Sequence, residues 1–169
     1  AGELACGTTG PGRLPEPVYI HDRLIQALAP KDLSAKHILV TAGPTREAID
    51  PVRFVGNRSS GKMGYAIAKA AEMRGARVTL ISGPSALPVP VNATLVRVTS
   101  AAEMAEAVLE NLDAADVLIK SAAVADYRPS QVESHKIKKN EAARSLDLER
   151  TVDILTAVSQ KKTRQIVVG

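Results

Sequence analysis

The chain has 169 residues, of which 45% are hydrophobic and 24% charged, and its formal net charge is +4. This size and composition suit one compact domain, or one domain with a tail, and argue against disorder throughout. Aromatic residues make up only 2% of the chain and tryptophan is absent, which excludes most proteins that stack single-stranded nucleic acid on aromatic rings.

No apolar run approaches the ~20 residues that span a bilayer. The single cysteine, Cys6, excludes an intramolecular disulfide framework. We therefore expect a cytoplasmic protein without membrane partners.

Residues 1–35 are predicted to form a tail and linker, because Gly and Pro are concentrated in AGELACGTTGPGRLPEPVY. The segment IHDRLIQALAP predicts one short helix that ends at Pro30. From residue 36 onward short apolar segments recur regularly, so residues 36–169 are predicted to be the folded domain. The predicted strands are 37–41, 77–81, 94–99, 116–120 and 165–169.

Helical patterns lie between these strands, together with a long loop up to about residue 58 and a basic, polar stretch at 128–144. The first predicted helix is 59–75, with Ser59 or Ser60 as its cap. The second is AAEMAEAVLENL, which begins with the capping box of Ser100 and Glu103. The third is VDILTAVSQKK, with Thr151 as its cap.

This alternation predicts βαβ units and an α/β fold, a Rossmann-like, doubly wound, mainly parallel sheet with helices on both faces. In such sheets ligands bind outside the carboxyl ends of the strands. The loop AGPTREAIDPVRFVGNRSSG follows the first strand and SAAVADY follows the fourth, so both are predicted to reach that edge. The chain ends where the loop after the fifth strand would begin, and we expect a C-terminally truncated domain.

Small residues at the start of the first long helix indicate a phosphate site, because unpaired N–H groups and the positive end of the helix dipole attract anions there. The candidates are Ser59, Ser60, Gly61 and Gly64, with Arg53 and Lys62 able to add charge-assisted hydrogen bonds. The alternative is that these glycines serve only a turn.

Three further features carry candidate chemistry. Asp126, in SAAVADY, can accept ribose hydroxyls, or it can simply cap a turn. The KIKK run at 136–139 can offset triphosphate charge, or it can be solvated surface. Asn57 cannot act as a base, but its amide can donate two hydrogen bonds to a developing oxyanion. The histidines at 21, 37 and 135 show no metal spacing with Cys6.

An NAD(P)-binding oxidoreductase is the main alternative. Against it, about 17 residues separate the first strand from the helix, and no acidic residue ends the second strand to hold a ribose. A P-loop is absent, because Lys62 is followed by Met63. A nucleic-acid-binding module built on KIKK is the weakest alternative, because charge is balanced and aromatics are scarce.

The segments ILVTAGPTREAIDPVRFVGNRSSGKMGYAIAKAA, SAAVADYRP and KIKK resemble, in order and spacing, the phosphopantothenate–cysteine ligase (phosphopantothenoylcysteine synthetase) family. In bacteria this ligase is usually the C-terminal half of a fused coenzyme A biosynthesis flavoprotein. The resemblance covers residues 36–169. LACGTTGPGR is similar to the end of the partner phosphopantothenoylcysteine decarboxylase domain, of which residues 1–30 would be a remnant, with that enzyme's active-site cysteine at Cys6.

The resemblance implies that 4′-phosphopantothenate and L-cysteine are joined through an acyl-cytidylate made from CTP, with Mg²⁺, in a homodimer. FMN would belong only to the absent decarboxylase domain. By the same resemblance, Asn57 would hold the acyl-cytidylate, Arg53 would assist it, and Lys136 would serve the nucleotide and the second half-reaction. The implied nucleotide-binding residues are Ser59, Ser60, Gly61, Lys120, Ser121, Ala122, Asp126, Lys136, Thr151, Val152, Asp153 and Ile154.

The sequence departs from the family in two respects. Within the segment 151–154, only Asp153 and Ile154 match the family's Asn-Pro-Asp-Ile. The Phe-Ala-x-Glu-Thr segment and the Lys-bearing loop that follow the fifth strand in the family are missing, so we expect impaired or absent ligase turnover with some nucleotide binding retained.

Overall fold

The structure, a computed structural model, describes residues 2–3, 6–10, 14, 16–138 and 145–169. Its elements in chain order are β1 (Gly2–Glu3), β2 (Thr9–Gly10), α1 (Pro17–Leu28), β3 (His37–Ala42), β4 (Arg46–Ala48), β5 (Phe54–Gly56), α2 (Lys62–Met73), β6 (Arg77–Ser82), β7 (Thr94–Arg97), α3 (Ala101–Leu112), β8 (Val117–Lys120), β9 (Tyr127–Pro129), β10 (Leu148–Arg150), α4 (Ile154–Lys161) and β11 (Ile166–Val168).

Five of the strands form the central sheet in the order β11-β8-β3-β6-β7, and every neighbouring pair is parallel. The middle strand, β3, has the sequence HILVTA and is buried along its whole length. A strand buried on both faces requires this nearly continuous apolar sequence. The predicted α/β, Rossmann-like, mainly parallel fold is confirmed.

Alternate side chains of β3 enter two separate cores, because successive residues of a strand point to opposite faces. Leu39 packs with Met104 and Val108 of α3 and with Ile154 of α4. Ile38 and Val40 pack on the other face, against α2. Helices therefore cover both faces of the sheet. None of the described helices has the length and hydrophobicity needed to cross a bilayer.

The start of α3 follows the predicted capping box. Ser100 Oγ accepts from Glu103 N at 3.2 Å, and Glu103 Oε2 accepts from Thr99 N at 2.7 Å. The predicted caps of the other two helices are wrong. Helix α2 begins only at Lys62, because Gly61 takes the N-cap position in the left-handed region, with φ 79°, and no side chain caps the helix.

Helix α4 is capped by Asp153 rather than by Thr151. The Asp153 carboxylate accepts from Leu155 N at 2.9 Å and from Thr156 N at 3.2 Å. Thr151 lies too far from the first turn to do so, and its hydroxyl instead donates to Ala125 O at 2.6 Å.

Besides the N-terminal antiparallel pair of β1 and β2, two antiparallel hairpins lie outside the central sheet, where the sequence predicts only loops. Strands β4 and β5 pair within the long loop after β3, and β9 pairs with β10 across the polar stretch. The predicted strand at 94–99 is also shorter, because β7 ends at Arg97. The predicted division between residues 35 and 36 stays a prediction.

Candidate functional site

The loops after β3 and β8 join at the carboxyl edge of the sheet. Ala123 N donates to Gly43 O at 2.9 Å, and Thr45 N donates to Ala123 O at 3.1 Å. These bonds form a parallel bridge between Pro44 and Ala123. Because β3 and β8 are parallel neighbours, their exit loops leave the sheet side by side, as the sequence predicts.

Two buried threonine hydroxyls fix the loop after β8. Thr41 Oγ1 accepts from Ala122 N at 3.2 Å, and Thr45 Oγ1 accepts from Ala125 N at 2.9 Å. Both threonines are fully buried. Sequence reasoning missed them, although a threonine inside the apolar segment HILVT is the signal that could have found the first.

Asn57 lies directly after β5 and reaches across to the same loop. Its Nδ2 donates to Val124 O at 3.0 Å, although the residues are 67 positions apart in the chain. Asn57 is exposed. Its second amide hydrogen and its side-chain oxygen, Oδ1, make no hydrogen bond with the described residues, so both can contact a ligand.

Some polar groups of the residues before α2 already form hydrogen bonds within the protein. Ser59 Oγ accepts from Gly61 N at 3.2 Å, and Ser60 O accepts from Ser85 Oγ at 3.0 Å. A Cβ on Gly61 would lie 3.0 Å from Gly43 N, so glycine is required both for the positive φ and for this close approach. No side chain of the described residues caps the N–H groups of the first turn of α2, which leaves them able to bind an anion.

A neighbouring cleft of about 280 Å³ lies at the carboxyl ends of β6 and β7. Ser82, Gly83 and Ser85 line it, and Tyr65 Oη donates to Ser82 Oγ at 3.1 Å. The hydrogen bond from Ser85 Oγ to Ser60 O connects this cleft to the loop before α2.

A larger cleft of about 630 Å³ lies at the opposite side of the exit loop of β8. It contains six of the predicted nucleotide-binding residues, namely Lys120, Asp126, Thr151, Val152, Asp153 and Ile154. Ile154 contributes from the core, since its side chain is only 1% exposed. Thr151 N donates to Asp126 O at 2.9 Å, which links the two walls of the cleft.

The acidic groups of this cleft have different surroundings. Hydrogen bonds from Thr156, both its N–H and its hydroxyl, lower the pKa of Asp153, and the charge of Lys120 adds to the effect. Asp126 is exposed and makes no side-chain hydrogen bond or ion pair with the described residues. Asp126 therefore has its carboxylate free for a ligand.

Ser121 and Ala122 lie between the cleft and Thr41. Ser121 Oγ is buried and has no hydrogen-bond partner among the described residues. A buried hydroxyl without a partner is costly, which makes Ser121 a candidate ligand contact.

Arg53 is bound within its own loop. Its Nε and Nη2 donate to Asp50 Oδ2 at 3.0 and 2.5 Å, and Nη2 also donates to Ile137 O at 3.0 Å. The hydrogen bonds from Arg53 hold the pKa of Asp50 well below its usual range. A phosphate could therefore contact Arg53 only through the remaining guanidinium nitrogen.

Neither Lys136 nor Cys6 lines either of the two clefts. Lys136 is exposed. It precedes Ile137, whose N–H donates to Asp50 Oδ2 in the loop that contains Arg53. Lys139 of the KIKK run lies outside the described residues. Cys6 is exposed in the N-terminal segment, with its Sγ 3.2 Å from Thr8 Oγ1. Half of the segment that resembles the decarboxylase end, residues 4–5 and 11–13, also lies outside the described residues.

Residues 33–169 match the family described as DNA/pantothenate metabolism flavoprotein C-terminal domain. The chain is 53% identical, over 172 aligned positions, to the coenzyme A biosynthesis bifunctional protein CoaBC of Bacillus subtilis, and the match covers 99% of this chain and 42% of that relative. It is 49% identical to CoaBC of Vibrio vulnificus over 100% of this chain and 43% of the relative. The chain thus spans about two fifths of the length of these curated relatives.

The fold is also shared with solved structures. The crystal structure of the C-terminal domain of a CoaBC protein superposes with a TM-score of 0.72 at 52% identity, over 81% of this chain and 64% of that one. A Cab2 mutant in complex with phosphopantothenate-cysteine superposes with a TM-score of 0.64 over 87% and 68% of the two chains, and at 18% identity it shows the fold alone. Since the family match spans most of the folded region and the 52% identical structure repeats its architecture, this chain belongs to the family of DNA/pantothenate metabolism flavoprotein C-terminal domains.

Proposed function

We propose that this chain is the phosphopantothenate–cysteine ligase part of a coenzyme A biosynthesis protein, and that it uses CTP. Family membership and the similarity to CoaBC proteins support the pathway. The observation that carries the proposal for the site is the hydrogen bond from Asn57 Nδ2 to Val124 O at 3.0 Å. It brings the loop before the uncapped start of α2 against the loop that borders the large cleft.

The proposed reaction has two steps. A carboxylate oxygen of 4′-phosphopantothenate attacks the α-phosphorus of CTP, a P–O bond to the leaving group breaks, and the products are an acyl-cytidylate and pyrophosphate. The amine of L-cysteine then attacks the acyl carbon, CMP leaves, an amide bond forms and the amine loses a proton. Neither step needs a nucleophilic side chain, so the protein contributes positioning and electrostatic stabilisation.

Asn57 has the proposed central role. One of its amide hydrogens is bound to Val124 O, which orients the group, and the other can donate to an oxygen of the acyl-cytidylate. Ser59, Ser60 and Gly61 would accompany the N–H groups of α2 in binding phosphate. Lys136 and Arg53 would supply positive charge.

The base and ribose are proposed to lie along the exit loop of β8. Ser121 offers a buried hydroxyl and Ala122 a small side chain. Asp126 offers a carboxylate for ribose hydroxyls, and neither Ser121 Oγ nor this carboxylate has a partner in the part of the chain that the structure describes. Lys120 and the segment from Thr151 to Ile154 line the cleft on its other side.

Mg²⁺ is proposed to arrive with the triphosphate. The described residues contain no group of three His, Cys, Asp or Glu that could hold a metal ion. Mg²⁺ commonly takes one or two carboxylates and completes its shell with phosphate oxygens and water. When bound, the ion would offset the negative charge of the phosphates.

A homodimer is proposed from the family resemblance. The two peripheral hairpins expose apolar side chains, including Phe54, Tyr127 and Leu148, which are 47–50% exposed. Such side chains are better covered than solvated. Sedimentation velocity on the purified chain would test this, and a single monomeric species across micromolar concentrations would refute it.

Ligand binding separates the ligase from the oxidoreductase alternative. CTP with Mg²⁺, at a hundred times its dissociation constant, should stabilise the chain by about 2.7 kcal/mol. For a protein of this size that raises the melting temperature by roughly 5–11 °C, whereas NADPH should leave it unchanged. The reverse order would favour the oxidoreductase.

The chemistry is tested with one variant and one control. With CTP, Mg²⁺ and 4′-phosphopantothenate but no cysteine, mass spectrometry should detect an acyl-cytidylate. Asn57→Asp should bind CTP at least about tenfold more weakly, because the added charge repels phosphate and the donor to Val124 O is lost. Gln160→Glu adds the same charge at an exposed position of α4 and should behave as wild type. Equal effects of the two variants would contradict the role of Asn57.

A further inference from the structure

The carboxylate of Asp50 lies at the centre of a network that joins two distant parts of the chain. Its Oδ1 accepts from Val52 N and Arg53 N, both at 2.8 Å. Its Oδ2 accepts from the Arg53 guanidinium and from Ile137 N, the latter at 3.1 Å across 87 residues of sequence. One oxygen thus holds the local turn, and the other holds the distant segment.

The same segment is attached at further points. Arg53 Nη2 donates to Ile137 O at 3.0 Å, so both backbone polar groups of Ile137 are held. Glu133 N donates to Ile49 O at 2.9 Å. Residues 131–138 contain no helix or strand, so these contacts take the place of secondary structure in fixing the segment.

The burial of Asp50 makes the hydrogen bonds of this network necessary. The side chain of Asp50 has no exposed surface, while that of Arg53 is 47% exposed. A buried carboxylate is tolerated only when donors surround it, and here the guanidinium and three backbone N–H groups do so. The longest of the hydrogen bonds to Asp50 is the one from Ile137 N, at 3.1 Å. Loss of the negative charge should therefore first weaken the attachment of the segment around Ile137.

The network lies between two proposed site residues. Lys136 immediately precedes Ile137, and β5 leads directly from Arg53 to Asn57. We propose that Asp50 is a positioning residue that, through Arg53, holds Lys136 in a defined place relative to Asn57. The further statement that Lys136 contacts the triphosphate at that place rests on the proposed function.

The Asp50→Asn variant separates this role from a purely local one. Asparagine keeps an oxygen that can accept from Val52 N and Arg53 N, so the turn is preserved. It presents an N–H₂ where Oδ2 stood, which cannot accept from Arg53 or Ile137. In hydrogen–deuterium exchange, the amide of Ile137 should lose protection at least about tenfold, while the α2 and α3 amides keep theirs.

A double-mutant cycle tests the link to Lys136. Asp50→Asn and Lys136→Ala should each weaken CTP–Mg²⁺ binding about tenfold, and the double variant should be no weaker than Lys136→Ala alone. Affinity for CMP, which lacks the outer phosphates, should change less than about twofold. A residue needed only for folding would lower both affinities together.

Asp32→Asn is the matched control. Asp32 also forms a two-bond pair with an arginine, accepting from Arg74 Nε at Oδ1 (2.9 Å) and from Arg74 Nη2 at Oδ2 (2.5 Å), at the C-terminal end of α2. It should change neither Ile137 exchange nor CTP affinity. If Asp50→Asn does not fold, Arg53→Lys removes the donor to Ile137 O and should also expose the Ile137 amide.

The outcomes are distinguishable. If the wild-type chain binds no CTP, the proposed function fails, and the exchange measurement still tests the attachment of the segment. Unchanged protection of Ile137 in Asp50→Asn overturns the inference in either case. Additive losses of CTP affinity in the double variant overturn the positioning of Lys136.

Discussion

Replacing Thr45 by valine should destabilise the protein, because one hydroxyl holds the exit loop of β8. Thr45 is fully buried, and its Oγ1 accepts from Ala125 N at 2.9 Å. Ala125 is itself 4% exposed, so water cannot replace the lost acceptor. Leaving a buried N–H unpaired costs about 1–3 kcal/mol.

This cost translates into a measurable shift. At about 2–4 °C per kcal/mol for a protein of this size, a loss near 2 kcal/mol lowers the melting temperature by roughly 4–8 °C. Urea unfolding should show a lower midpoint with an unchanged slope, since the exposed surface is the same. Because Val124 accepts from Asn57, CTP affinity should fall as well.

Two control variants make the result decisive. Thr45→Ser keeps the acceptor and loses one methyl group, worth about 0.8 kcal/mol. Thr94→Val makes the same chemical change at an exposed position of β7 and should stay within about 0.5 kcal/mol of wild type. The reasoning fails if Thr45→Val is as stable as wild type, or if Thr45→Ser is destabilised equally.

Two further predictions concern packing and pH. Gly64→Ala should lose about 1–3 kcal/mol of stability in urea unfolding, because its Cβ would lie 2.5 Å from Ala42 Cβ. The control, Ala66→Ser on the exposed side of α2, should lose no more than about 0.5 kcal/mol. Similar losses in the two variants would contradict this close contact. Asp50 has its pKa depressed by Arg53, so its contribution to stability is complete above about pH 5 and is lost as the pH falls toward the folded-state value. Asp50→Asn should therefore show a shallower decline in the free energy of unfolding from pH 5 to pH 3, and parallel profiles would refute this.

Local patterns predict the elements of this fold well. The apolar segment at 37–41 and the pair Ser100 and Glu103 act over a few residues, and the structure has the strand and the capping box where they predict them. The motif that carries Asn57 and Gly61, with its family resemblance, also places the candidate site at the carboxyl edge without any coordinates.

The two wrong predictions of helix caps occur where neighbouring residues compete for the N-cap position. Thr151 and Asp153 are both good N-cap residues, and a hydrogen bond from Thr151 to Ala125 O, 26 residues away, decides between them. Ser59 and Ser60 compete in the same way with Gly61, which takes the N-cap position of α2, where it lies against the backbone of Gly43.

The sequence by itself determined the chain order of the helices and of the five central strands, the family and the residues able to carry chemistry, because periodicity and motif depend on neighbours in the chain. Only the tertiary structure decided how those residues are held. The contacts of Ala125 with Thr45 and of Ile137 with Asp50 join residues 80 and 87 positions apart. They form because the parallel sheet brings the loops at its carboxyl edge together, and no local pattern specifies which pairs will meet there.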